Sequence, residues 1–247
     1  MAPIGKNTSS PASVSPKQNK LLAALPDSDY QRLLPELEFM DMPTGLVLRE
    51  SGVPMRYVYF PTSAVVSLVN ITEDGTSAEI AATGSEGLVG FPLVMGGKST
   101  PSEAVVQSPG SGYRLKAEVL EKELANSPDF QHIALHFTQA LMTQTSQTAL
   151  CNRLHSLDQQ FCRWLLIRLD RLQHHEVAAT QEFIASMLGV RRESVTIAAS
   201  KLHEEGIILR RRGHITVVDR TKLEVRVCEC YGVVKAEYDR LLYTQAA

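Results

Sequence analysis

Residues 180–218 read TQEFIASMLGVRRESVTIAASKLHEEGIILRRRGHITVV. Thr180 is a good helix N-cap, and Phe183, Ile184, Met187 and Leu188 recur on one apolar face. Gly189 supplies the left-handed backbone that a sharp turn between two helices requires. A second helix is predicted from about Arg192 to Glu204. At 100° per residue, Val195, Ala198, Ala199 and Leu202 gather on its inner side. Glu193, Thr196, Ile197 and Ser200 lie opposite, flanked by Arg192 and Lys201. Gly206 ends the helix, and Ile207–Leu209 and Ile215–Val218 read as two short strands around a basic tip, Arg210-Arg211-Arg212-Gly213. Three adjacent arginines also suit an ordinary solvated loop. Helix, glycine turn, helix and basic hairpin in succession are the layout of a winged helix-turn-helix, whose second helix offers a polar face to a major groove.

Upstream, neither proline nor glycine occurs between Asp129 and Met187. Ile133, Phe137, Ala140, Gln144, Gln147, Cys151 and Leu154 follow a 4-3 alternation, apolar at both ends and polar in the middle. Polar residues in such a seam fix register in helix pairs, so residues 128–155 read as a parallel dimerisation helix. The other reading of the same spacing is a long helix lying on its own domain. Asp158 then reads as the N-cap of a helix over Phe161–Arg171, with Phe161, Leu165, Ile167 and Leu169 near its buried side.

The amino-terminal half has another texture. GLVLRE, RYVYF, SAVVSLVNI, SAEIAA, EAVVQ and GYRL are short β-branched runs between Leu46 and Leu115. Ser51-Gly52, Asp74-Gly75, Gly84, Gly96-Gly97 and Pro109-Gly110 break them with turn chemistry. Several short strands at this spacing predict a sandwich, barrel or jelly roll, preceded by a helix over Asp27–Leu34. The chain of 247 residues is 44% hydrophobic and 21% charged, enough to build a core and to exclude wholesale disorder. A formal charge of −2 names no partner, but its distribution does. Residues 21–127 hold 7 basic against 14 acidic side chains and would repel nucleic acid, whereas residues 156–219 hold 9 against 8. The opening 20 residues carry three lysines, no acid and no apolar run, and read as a disordered tail rather than an export signal. Asn7-Thr8-Ser9 and Asn70-Ile71-Thr72 are then chance matches to the glycosylation pattern. No membrane span is expected, and four cysteines in a chain of this length fit a reducing cytoplasm.

The segment GVRRESVTIAASKLHEEGIILRRRGHITVV resembles the Crp/Fnr family of bacterial transcription regulators, and the likeness extends over roughly residues 21–219. The Cys-Glu-Cys-Tyr stretch at 228–231 also resembles one branch of that family. The resemblance implies an α+β chain: an N-terminal antiparallel β jelly roll of the cyclic-nucleotide-binding type (21–127), a dimerisation helix (128–155), a winged helix-turn-helix (156–219) and a helical extension (220–247). It further implies a homodimer on a near-palindromic operator in double-stranded DNA, with RNA polymerase as a partner. Thr180, Arg191, Arg192, Glu193, Thr196, Ile197, Ser200, Lys201, Arg210, Arg211 and Arg212 are the expected DNA contacts. The family's recognition helix reads R-E-x-V-x-R. Arg192, Glu193 and Val195 match, and Ile197 replaces the second arginine. Glutamate accepts from cytosine N4 and arginine pairs with guanine, while isoleucine only packs, as against a thymine methyl.

Cyclic AMP binders of the family resemble one another in a G-E-[LI] turn and a later R-[ST] pair that neutralises the phosphate. Here GSEGLVGF offers Glu86, but GGKSTPSEAVVQ contains no arginine, leaving Lys98 as the only substitute. A buried phosphate without a bidentate partner is poorly compensated, so Glu86 and Lys98 define at most a weak effector pocket, and Glu86 reads better as a group that ties down its own turn. A cyclic-nucleotide-responsive regulator stays open as the alternative. GFPLVMGGKST fails as a phosphate loop because Pro92 stands where its first glycine belongs and Pro101 blocks the helix that should follow. The iron–sulfur ligands of other family members are missing, since no cysteine precedes Cys151. Cys228 and Cys230, two apart, would sit about 200° apart on a helix and read as buried thiols rather than metal ligands. A jelly-roll metalloenzyme would need histidines on the barrel, but all seven follow it. No cofactor, no metal and no enzymatic activity are therefore expected.

Overall fold

The computed structural model describes residues 14–172 and 174–242. Within the segment read as a disordered tail, the described part belongs to the fold. Ser15 caps a 3-10 turn over Pro16–Gln18, and the buried Asn19 caps α1 (Lys20–Ala23). The Asn19 amide also donates to the Pro61 and Gly87 carbonyls at 2.9 and 2.7 Å. A polar composition conceals this role because both acceptors lie far along the chain. Asn7-Thr8-Ser9 falls outside the described residues.

After α2 (Asp27–Leu33), the chain forms two antiparallel sheets. Their strands are β1 (Glu38–Met42), β2 (Val47–Arg49), β3 (Tyr57–Pro61), β4 (Val65–Ile71), β5 (Ser77–Thr83), β6 (Glu103–Ser108) and β7 (Gly110–Lys116). Short α3 (Phe91–Val94) interrupts them before β6. One sheet runs β1-β7-β3 and the other β2-β6-β4-β5. The β-branched runs form strands because alternate residues meet a shared interior, as β6 shows by alternating buried and half-buried positions. β1 lies outside the runs that the patterning marks. Its side chains are mostly exposed, and pairing with β7, from Glu38↔Arg114 to Met42↔Gly110, fixes it as a strand.

α4 (Ala117–Asn126) leads to α5 (Pro128–Leu154), which starts at a proline in its first turn and is capped by Ser127. The seven seam positions do not form an exposed stripe. Phe137, Ala140, Gln144 and Cys151 are buried in their own chain, Ile133 and Gln147 are half-buried, and Leu154 is exposed. The 4-3 spacing correctly marks one helix face, but spacing does not say what covers it. α1, the barrel and α10 (Glu229–Leu242) do so here, with Val234, Tyr238 and Leu241 sharing one core with Phe137. Leu135 and Met142 stand exposed on the other face.

α6 (Leu157–Leu169) is buried on nearly every side. Its N-cap is Ser156, not Asp158, because Ser156 and Gln159 complete a reciprocal capping box. There follow β8 (Glu176–Ala178), α7 (Gln181–Leu188), α8 (Arg192–Glu204), β9 (Ile208–Arg211), β10 (His214–Val217) and α9 (Arg220–Arg226). The small sheet runs β8-β10-β9, so a third strand joins the expected hairpin. The extension thus divides: Leu223 of α9 enters the helix-turn-helix core, while α10 lies along α5. Among the described residues, no helix is long and apolar enough to cross a membrane.

Gly87 lies directly under the Phe137 ring, where an added Cβ would come within 1.8 Å. Phe137→Ala should therefore lower unfolding free energy by about 3–5 kcal/mol in urea denaturation, as expected for a core ring rather than a seam residue.

Candidate nucleic-acid interface

The helix-turn-helix is assembled by local chemistry. The Thr180 side chain accepts the Phe183 N–H at 3.1 Å and starts α7. Gly189 ends it at φ 65° and redirects the chain to Arg191, the N-cap residue of α8. Val195, Ala198, Ala199 and Leu202 are buried, as the helical projection requires. Arg192, Glu193 and Lys201 are exposed, Thr196 and Ser200 half-buried, and Ile197 is 70% exposed.

The wing differs from its sequence reading. His214 pairs with Arg211 and Ile215 with Arg210, so the turn is Arg212-Gly213 with Gly213 at φ 77°. Arg210 is consequently a strand residue. Its guanidinium reaches back to donate to Ser200 Oγ at 2.9 Å and to the Thr196 carbonyl at 3.4 Å. It braces the recognition helix, while Arg211 and Arg212 stay exposed beside it. Lys201 is held by Asp158 at 2.8 Å. Burial works to raise the Asp158 carboxyl, but hydrogen bonds from Lys201 and Arg226 outweigh it and hold the group below the usual carboxylate range. Thr196 donates to Gln181 Oε1 at 2.8 Å, tying the two helices together.

The expected effector residues do not meet. Glu86 is buried and accepts from the Gly84 N–H and from Arg171 Nε at 2.7 Å, whereas Lys98 is exposed and lines a different cavity, with Arg56 and Lys116. Glu86 does tie down its own turn, but its main partner comes from the end of α6, which spacing within the barrel could not disclose. Arg171 also donates to Gln144 Oε1 at 3.1 Å, and Gln144 donates in turn to the Ala82 carbonyl at 3.2 Å. A second pair lies alongside. Arg168, almost fully buried, donates to both Glu79 oxygens at 3.2 and 2.5 Å and stacks 3.5 Å over Trp164. Burial pulls the Arg168 guanidinium downward despite Glu79; in Arg171 the Glu86 charge overcomes the same effect. Two buried ion pairs therefore join the barrel to the helix-turn-helix domain.

The cysteines are also regrouped. Cys228 precedes α10 instead of sharing a helix turn with Cys230, so the 200° separation does not apply. Cys151, Cys228 and Cys230 lie together, and Cys162 is buried nearby in another cluster. Burial pushes the Cys151 thiol up to about 11 and the Cys162 thiol up to about 12.

The chain therefore combines a β-roll, a long helix and a winged helix-turn-helix. Residues 159–226 match the Crp-like helix-turn-helix domain family, a span that includes α9. Among solved structures, the fold is similar to a Crp/Fnr-family transcriptional regulator from Eubacterium rectale, with TM-score 0.67 and 16% identity over 85% of this chain and 98% of that one. FixK2 from Bradyrhizobium japonicum aligns with TM-score 0.66 and 19% identity over 78% and 98% of the two chains. The c-di-GMP-responsive global regulator CLP of Xanthomonas campestris aligns with TM-score 0.62 and 16% identity over 78% and 99%. No curated protein matches the chain. The protein thus carries a Crp-like helix-turn-helix domain on a fold similar to that of Crp/Fnr-family regulators.

Removing one member of a buried pair strands the other charge. Glu79→Ala should cost about 3–5 kcal/mol, and the double replacement Glu79→Leu with Arg168→Met clearly less. Equilibrium denaturation of the three variants checks this ordering.

Proposed function

We propose that the protein is a homodimeric, sequence-specific DNA-binding transcription regulator whose barrel does not take cyclic AMP at Glu86. The observation that carries this reading is the outer face of α8. Arg192, Glu193 and Ile197 are exposed there beside Arg211 and Arg212, while the opposite face is fully committed to the core. Arg192 and Glu193 suit base edges, Ile197 suits a thymine methyl, and the wing arginines and Arg191 suit phosphates. Thr180 is exposed at the N-terminus of α7, where a helix crossing the DNA backbone would present its free N–H groups. Arg210 and Lys201 act from behind, through Ser200 and Asp158 respectively.

Dimerisation runs along α5, but on the face away from Phe137. Leu135, Gln139, Met142, Ser146 and Ala149 repeat in 4-3 steps and are all exposed. Pairing there would set the two recognition helices about 34 Å apart, one turn of a near-palindromic operator. Against cyclic AMP stands the chemistry of Glu86: its carboxylate already accepts from Arg171 and Gly84, and the stretch GGKSTPSEAVVQ carries no arginine for the phosphate. The protein would act in the cytoplasm, where RNA polymerase meets the same DNA.

Selection from a randomised duplex pool tests the reading, with a two-fold motif as the expected result and no enriched sequence as the overturning one. Ile197→Arg should recover a different half-site at one position, with about 1–3 kcal/mol of altered base preference. Arg211→Ala should instead weaken all sequences alike. It should also reduce the log–log salt slope, about −7 for a dimer making roughly eight phosphate contacts, by about one unit per lost contact in each subunit. Titrations at several salt concentrations measure that slope.

A further inference from the structure

The end of α5 and the beginning of α10 bring together four groups that no DNA contact uses. Cys151 lies in the last turn of α5, and His155 follows four residues later as its C-cap. Cys228 lies in the short connection after α9, and Cys230 in the first turn of α10. Cys151 Sγ is 3.5 Å from Cys228 Sγ, and Cys230 Sγ is 3.5 Å from His155 Nδ1. All four ligand atoms lie within 4.8 Å of one another. Around a tetrahedral zinc ion, bond lengths near 2.3 Å for sulfur and 2.0 Å for nitrogen place neighbouring ligand atoms about 3.5–3.8 Å apart. The cage therefore needs only small adjustments to close on one ion. An iron–sulfur cluster distributes its cysteines over several irons and needs a wider cage.

From this geometry we infer that Cys151, His155, Cys228 and Cys230 form a structural site for a single thiophilic divalent cation of the zinc type. Two further observations point the same way. The His155 Nε2 atom, on the far side of the ring, lies 3.4 Å from Glu229, the carboxylate arrangement that orients metal-bound histidines. Arg163 is buried beside the cluster. Its Nε and NH1 atoms have no hydrogen-bond partner, while NH2 reaches Thr148 at 3.2 Å. A buried guanidinium with free donors calls for an anion nearby. Three thiolates and a neutral imidazole around a divalent ion carry a net charge of −1, which the Arg163 guanidinium would offset.

On binding, the three thiol protons leave to solvent and His155 supplies its Nδ1 lone pair. No oxidation takes place. Four protein ligands close the coordination sphere, so the site holds structure and performs no chemistry. What it holds is the elbow between α5 and α6: His155 immediately precedes the Ser156 cap, and Gln160 Nε2 donates to the Cys151 and His155 carbonyls at 3.4 and 2.9 Å. The ion would pin α10 to the point where the long helix hands over to the helix-turn-helix domain.

The full chain, purified reduced and without chelator, should retain about one zinc per chain by elemental analysis. After metal removal, titration with Co2+ should saturate at the same ratio, with intense visible bands of tetrahedral cobalt and thiolate-to-cobalt charge transfer. Cys228→Ser and Cys230→Ser should lower bound metal at least about tenfold, whereas Cys162→Ser, outside the cage, should retain it. His155→Cys should keep the ion and strengthen the charge-transfer band, giving a readout that survives if a serine variant fails to fold. Failure of wild-type protein to take up zinc or Co2+ in stoichiometric amounts would overturn the proposal. So would full retention in the serine variants, or a Cys151–Cys228 disulfide formed in place of metal binding.

Discussion

Burying an arginine is costly unless its charge is met, and two arginines of this molecule, three residues apart on α6 and just beyond its end, find carboxylate partners in another part of the fold. Arg168 meets Glu79 on β5, and Arg171 meets Glu86 in the turn that follows it. Removing either carboxylate would leave a largely buried cation without its counter-charge, so the two ion pairs help to hold the helix-turn-helix domain against the barrel. Val65, Val69 and Ala82 of the barrel extend the joint by entering the apolar core of the second domain. Ser77 and Ser186, 2.7 Å apart, close its edge.

Gln144 makes the junction three-sided. Its amide donates to the barrel at Ala82, and its carbonyl accepts from Arg171 and from Tyr238 of α10. A residue whose mid-helix polarity looks like a register device in a helix pair is thus a hydrogen-bonded hub within one chain. Any displacement of the barrel turn around Glu86 must be felt at Arg171 and at α5 together. The barrel turn, α5 and the end of α6 are therefore mechanically coupled, since a packed, hydrogen-bonded junction does not deform smoothly.

The recognition unit was legible from sequence because its determinants are local. Thr180 caps, Gly189 turns, and the inner and outer faces of α8 follow from a helical projection of thirteen residues. The strands of the barrel were legible for the same reason, except β1, whose mostly exposed residues become a strand only by pairing with β7. The readings that failed were those in which a local pattern has several tertiary solutions. Asp158 lost the cap to Ser156, whose partner Gln159 was in position, and was taken instead by Lys201 and Arg226. Arg210 left the wing tip because the strand register placed it opposite Ile215. The seam along α5 has the right period and the wrong occupant, since α10 covers the Phe137 face.

The sequence by itself therefore determined the class of the molecule: a β-rich first half, a long helix, and a winged helix-turn-helix with Arg192, Glu193 and Ile197 turned outward. It did so because caps, turns and periodicities act over a few residues. Only the tertiary structure decided which face of α5 is free, that Glu86 answers to Arg171, and that Cys151 and His155 meet Cys228 and Cys230 more than seventy residues later. Contacts of that range are set by how whole elements dock, and no spacing along the chain encodes where two helices will cross.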